Sequence, residues 1–141
     1  MNNAIERELL ETGVLVLRLN RPEVLNAMNR DLIVGLLNTI NETIDDEKVR
    51  SIVLTGNGRG FCAGADLVDG GWPNEDNLSA GQSAGKNMET AFNPLVKAIT
   101  QSGKPIVTAI NGIAAGGGVG LALSGDIAVS YTHLRAHETH E

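Results

Sequence analysis

Two glycine-rich stretches carry the residues whose types and spacing could do chemistry. One runs Gly60-Phe61-Cys62-Ala63-Gly64-Ala65-Asp66-Leu67 and the other Ala114-Ala115-Gly116-Gly117-Gly118. Small side chains let a ligand approach the main chain closely, and the first stretch exposes backbone near Ala65. The second sits where a helix is expected to begin, and a helix N-terminus favours negative charge. Two such loops could hold an oxygen that gains charge during a reaction. Each also has a plainer reading. Gly116–Gly118 could serve close helix–strand packing, and Gly64 could be a turn residue. A dinucleotide site fits poorly: Gly116-Gly117-Gly118-Val119-Gly120 lacks the G-x-G-x-x-G spacing, and no acid follows about 20 residues on, short of an atypical tail.

The candidate proton carriers are few. Asp66 adjoins the first loop, where capping of backbone N–H groups is the stronger expectation and acid–base work the weaker. Asp126 starts a strand and reads as structural. Glu75 and Asp76 lie in a polar loop that could cover a pocket, with solvated charge the default. Cys62 as a nucleophile would need a histidine partner. All three histidines, His133, His137 and His140, fall in the last nine residues. Cys62 therefore reads as a small core residue. His133 and His137 could share a metal on one helix face. The composition break after Ser130 argues instead for a non-native tail over 131–141, and YTHLRAHET resembles translated adaptor sequence. No metal is expected.

Positioning these loops requires alternating strands and helices. Ile5–Leu10 and Val14–Asn20 read as a hairpin about Thr12-Gly13, closed by Arg21-Pro22. Asn29 caps a helix to about Asp45, with Ile33, Leu36, Leu37, Ile40 and Ile44 on its buried face. Ser51–Thr55 reads as a buried strand. An exposed loop follows over 69–79, and then a helix Ser83–Thr100 that Pro94 should kink or break. Strand Ile106–Ile110, a helix from Gly116 to about Ser124 and strand Asp126–Ser130 complete the order. This indicates an α/β fold with mostly parallel strands. No internal sequence repeat is visible.

The formal net charge of −6 and the 3 % aromatic content disfavour nucleic-acid binding. No apolar run approaches the ~20 residues of a membrane span. The N-terminus lacks a signal core, and the single cysteine suits a reducing compartment, so a cytoplasmic location is expected.

Three motifs, in order and spacing, resemble the enoyl-CoA hydratase/isomerase (crotonase) family over Met1–Ser130. They are Leu19-Asn20-Arg21-Pro22-Glu23-Val24-Leu25-Asn26-Ala27-Met28, Gly60–Leu67, and Lys104-Pro105-Ile106-Val107-Thr108-Ala109-Ile110-Asn111-Gly112 running on through Gly118. The resemblance implies a crotonase-like fold of ββα repeats and spiral sheet, with one partial acyl-CoA-binding domain over 1–130, short of a C-terminal helical region. It implies an oxyanion hole made by the N–H groups of Ala65 and Gly117. It also implies an acyl-CoA path along Asn26, Ala27, Ala63, Ala65, Asp66, Leu67, Val68, Gly116 and Gly117. Phe61 and Trp72 either line the acyl pocket or pack. Coenzyme A is expected as part of the substrate and no cofactor besides, with a homotrimer or hexamer for the full-length protein. Where hydratases of the family carry a first acid, this chain has Gly120. Together with Phe92-Asn93-Pro94-Leu95-Val96, that resembles the isomerase branch. The alternative is a non-catalytic acyl-CoA-binding or assembly module. Met1–Glu141 alone is expected to be silent and marginally folded.

Overall fold

The computed structural model describes residues 3–73 and 77–130. Three strand–strand–helix units follow one another along the chain. The first is β1 (Ile5–Leu9), β2 (Val14–Leu19) and α1 (Arg30–Thr43), and the second β3 (Ser51–Gly56), β4 (Gly60–Cys62) and α2 (Ala80–Thr100). The third is β5 (Ile106–Ile110), β6 (Ile113–Ala114) and α3 (Gly117–Leu123), after which comes β7 (Ile127–Ser130). Five strands form one sheet in the order β1-β2-β3-β5-β7, antiparallel only between β1 and β2. β4 and β6 make a separate parallel pair. This is the expected α/β architecture.

Side chains alternate along the central strands. Leu15, Leu17 and Leu19 of β2, Ile52 and Leu54 of β3, and Ile106 and Ile110 of β5 are buried. The register sets Leu15 beside Ile52 and Leu17 beside Leu54. The other face, with Val16, Val53 and Val107 in register, is half-buried. β3, expected as a buried strand, is fully buried on one face and half-buried on the other, with the period-two pattern of β2. At the sheet edge, Ile127 and Val129 are exposed, as is Leu123 on α3.

Asn29 caps α1, its side chain accepting from Leu32 N–H at 2.8 Å, a contact worth about 1 kcal/mol. Leu32, Ile33, Leu36 and Ile40 are buried. Ile44, expected on the same face, lies past the helix end and is exposed. The chain turns there because Asp46 N–H donates to Thr43 O and the Lys104 ammonium donates to the carbonyls of Thr43 and Asp46. α2 starts earlier than expected. Ser79 accepts from Gln82 N–H while Gln82 accepts from Ser79 N–H, a full capping box. The helix passes through Pro94 without a break. Pro94 is exposed, so its ring faces solvent and the one lost backbone bond leaves a carbonyl that water can reach. Among the described residues no helix is long and apolar enough to cross a membrane.

Candidate active site

The two glycine-rich stretches are not loops alone: they include the paired strands β4 and β6. Phe61 and Cys62 are fully buried on β4, and Ala115 N–H donates to Cys62 O at 3.1 Å. Gly118 lies so close that an added Cβ would stand 2.0 Å from Cys62 O. The N-terminus of α3 is therefore seated directly on β4. Gly64 has φ +108°, a conformation glycine adopts without strain, and an added Cβ there would stand 3.7 Å from Gly117 N. The Gly64-Ala65 and Gly116-Gly117 segments thus converge.

Peptide planarity fixes where their N–H groups point. The peptide unit carrying Ala65 N–H has its carbonyl, Gly64 O, accepting from Met28 N–H at 2.7 Å. Asp66 N–H donates to Met28 O at 2.9 Å, completing an isolated parallel bridge between Met28 and Ala65. In a parallel bridge the central residue's own N–H faces away from its partner, so Ala65 N–H is turned from Met28. The unit carrying Gly117 N–H has its carbonyl, Gly116 O, accepting from Val119 N–H at 3.0 Å, inside the helix start. Neither Ala65 N–H nor Gly117 N–H donates to any described residue. Two outward N–H groups on adjoining segments can hold one anionic oxygen.

Residues 10–133 match the family model described as enoyl-CoA hydratase/isomerase. The chain belongs to this family. It is 42 % identical over 121 residues to the 1,2-epoxyphenylacetyl-CoA isomerase of Escherichia coli K12, across 86 % of this chain and 45 % of that relative. It is 34 % identical over 136 residues to the short-chain-enoyl-CoA hydratase of Clostridium acetobutylicum, across 96 % of this chain and 49 % of the relative. Among solved structures it resembles a monofunctional enoyl-CoA isomerase from M. smegmatis, with TM-score 0.71 and 29 % identity, covering 92 % of this chain and 50 % of that one. These neighbours give it the crotonase fold. The chain spans about half the length of the relatives it matches.

In this hydratase/isomerase chain the remaining candidates separate clearly. Asn26 is fully buried, with φ +57°. Its side chain accepts from Arg21 N–H at 2.8 Å and donates to Asn57 O and Gly60 O at 3.0 and 2.9 Å. It holds the turn and has no side-chain group to spare for a ligand. Ala27 and Ala63 are half-buried beside it, and Ala63 N–H donates to Leu25 O. Leu67 and Val68 are exposed, Val68 at 97 %. Phe61 is core, and half-buried Trp72 donates its Nε1–H to Asp66 O at 2.9 Å. Gly120 is exposed beside Phe92, to which an added Cβ would stand at 3.4 Å. Glu75, Asp76 and the three histidines of the tail lie outside the described residues.

Asp66 caps backbone as expected, accepting from Val68 N–H at 3.2 Å and Asp69 N–H at 2.8 Å. Sequence reasoning missed its other partner, Arg21, whose Nη1 stands 3.0 Å from Asp66 Oδ2. Burial alone would raise the Asp66 carboxyl. The Asp69 N–H, Arg21 and Val68 N–H bonds outweigh it and hold the group below its ordinary 3.8. A group lowered in the folded state stabilises above its unfolded pKa, and that contribution fades as pH falls through the folded one. The stability gap between wild type and Asp66→Asn should thus be full at pH 7 and shrink progressively below 3.8 in urea melts. A gap independent of pH would contradict the carboxylate's role.

Cys62 is fully buried, and burial pushes its thiol up to about 11, against a smaller lowering by the Gly64 backbone. It is no nucleophile at neutral pH. Iodoacetamide should leave it unmodified in the native protein and label it readily in denaturant; rapid native labelling would refute its burial. Among the described residues no three metal-ligating side chains gather.

Proposed function

We propose that the whole protein isomerises acyl-CoA thioesters through an enolate held by the N–H groups of Ala65 and Gly117. The observation that carries this reading is the close approach of the Gly64-Ala65 and Gly116-Gly117 segments, each with an N–H that no described residue takes, together with Gly120, which offers no carboxylate. As a base removes the α-proton, the C–H pair forms the Cα=C bond and the carbonyl π pair moves onto oxygen, where two preorganised donors meet it. Return of the proton at another position, or rearrangement of the enolate, completes an isomerisation with no net loss of atoms. Hydration by a pair of carboxylates would need an acid at Gly120, and Asp66 is engaged by Arg21 and two N–H groups. The 42 % identity to an epoxyacyl-CoA isomerase supports the same direction. No cofactor is needed, since coenzyme A arrives with the substrate.

Asp66, bound in this way, also favours a second reading, a module that binds acyl-CoA without turnover. Assay of the full-length protein against unsaturated and epoxidised acyl-CoA thioesters decides between them. Isomer formation supports catalysis, and binding without turnover supports the module. Failure to bind any acyl-CoA ends both readings. Residues 1–141 alone, with donors but no uncommitted carboxylate facing them among the described residues, are proposed to be silent.

A further inference from the structure

Among the described residues one isolated parallel β-bridge, Met28 with Ala65, joins the turn before α1 to the Gly64–Asp66 segment. Three backbone hydrogen bonds join the two segments here, the two of the bridge and Ala63 N–H to Leu25 O, and none of them lies in a continuous ladder. Side chains reinforce them. Arg21 Nη1 donates to Ala27 O at 2.6 Å, on one side of the bridge, and pairs with Asp66 Oδ2 at 3.0 Å, on the other. Arg21 is itself anchored: its own N–H donates to Asn26 Oδ1, and its carbonyl accepts from Asn26 N–H. The pair is largely withdrawn from water, with side-chain exposures of 15 % and 10 %, so it is screened little.

We infer that Arg21 is a positioning residue, which clamps Ala27 to Asp66 and so holds the Ala65 N–H on the thioester oxygen. Arg21 touches no reacting atom. It acts through the Gly64-Ala65 peptide unit, whose carbonyl is tied to Met28 directly after Ala27. Without the clamp, that peptide can rotate about its flanking bonds, most easily at Gly64, where the backbone is least restricted. The N–H then leaves the common point it shares with Gly117 N–H. The inference rests on the oxyanion reading of Ala65 and Gly117.

The test is infrared spectroscopy of butyryl-CoA, carbon-13 labelled at the thioester carbonyl, bound to the full-length protein. Donors on the oxygen lower the C=O stretching frequency, a signature that a merely structural residue leaves unchanged. Wild type should show a clear downward shift. Arg21→Met should lose most of it while binding coenzyme A lacking the acyl group as tightly as wild type, and Arg21→Lys should recover part. If Arg21→Met does not fold, Asp66→Asn breaks the same clamp from the other side while keeping an acceptor oxygen for Val68 and Asp69 N–H, and should lose the shift too. A full shift retained in a folded variant of either residue overturns the clamp alone. No shift in wild type, or no binding of butyryl-CoA, removes the oxyanion reading and the clamp with it.

Discussion

Replacing Gly117 by proline should lower turnover by roughly 10²–10³-fold, while replacing it by alanine should retain most of the activity. Both substitutions add atoms toward Met88 and Met28, whose methyl groups would stand 2.9 and 3.1 Å from a new Cβ. Those contacts are with the tips of flexible side chains and can give. Gly117 is the first residue of α3, a position where proline fits a helix and costs no intrahelical hydrogen bond. The two variants therefore differ chiefly in one N–H. Removing one oxyanion donor costs about 3 kcal/mol of transition-state stabilisation, which sets the expected loss. Steady-state kinetics on the full-length protein, with circular dichroism to check folding, measures it. Equal rates for the proline and alanine variants would show that Gly117 N–H does not meet the substrate.

A large effect on stability is expected one residue later. Gly118→Ala sets a methyl group 2.0 Å from Cys62 O and 2.8 Å from Cys62 C, both main-chain atoms of β4. Nothing there can rotate aside, so α3 must lift off the β4–β6 pair. Overpacking costs typically 1–3 kcal/mol, and a backbone collision belongs at the upper end or beyond. Gly120→Ala is the matched control. Its methyl group meets only the Phe92 ring at 3.4 and 3.6 Å, and alanine gains about 0.5–1 kcal/mol over glycine inside a helix. Urea denaturation should rank Gly120→Ala at or above wild type and Gly118→Ala well below both. Coincident midpoints for the two would show that α3 does not sit on β4.

This contrast shows what could be read in the sequence. The Gly116–Gly118 run admits two readings, close packing and backbone donation, and both hold, at different residues. Gly118 serves packing, and Gly117 presents an N–H that no described residue takes. Residue type alone could not divide the run, because the division depends on which strand lies beneath. The strands of the larger sheet and α1 were legible because each is a run long enough to read as an element, and in β2, β3, β5 and α1 the apolar period can be counted. β4 and β6 were not: three and two residues show no period, and the glycines in β4 and on either side of β6 read as loop. The start of α2 did carry a signal, Ser79 and Gln82 at capping-box spacing, hidden by Gly81 and Gly85 in the same turns. Arg21 was read only as the close of a strand. Its partner Asp66 lies far along the chain, and no local pattern links an arginine to a carboxylate across two turns.

The seating of Gly118 on Cys62 also governs how the site comes apart. Ala115 N–H is bonded to the same Cys62 carbonyl, so α3, β6 and β4 share one contact point. Lifting the Gly116–Gly117 peptide off β4 breaks that point, and Phe61 and Cys62 beneath it are wholly within the core. The amide of Ala115 should then exchange with deuterium only when the molecule unfolds globally, at a rate set by the full unfolding free energy. Exposed β7, by contrast, should exchange by local fraying. The Gly116–Gly117 arm of the site is thus held more firmly than the β7 edge of the sheet.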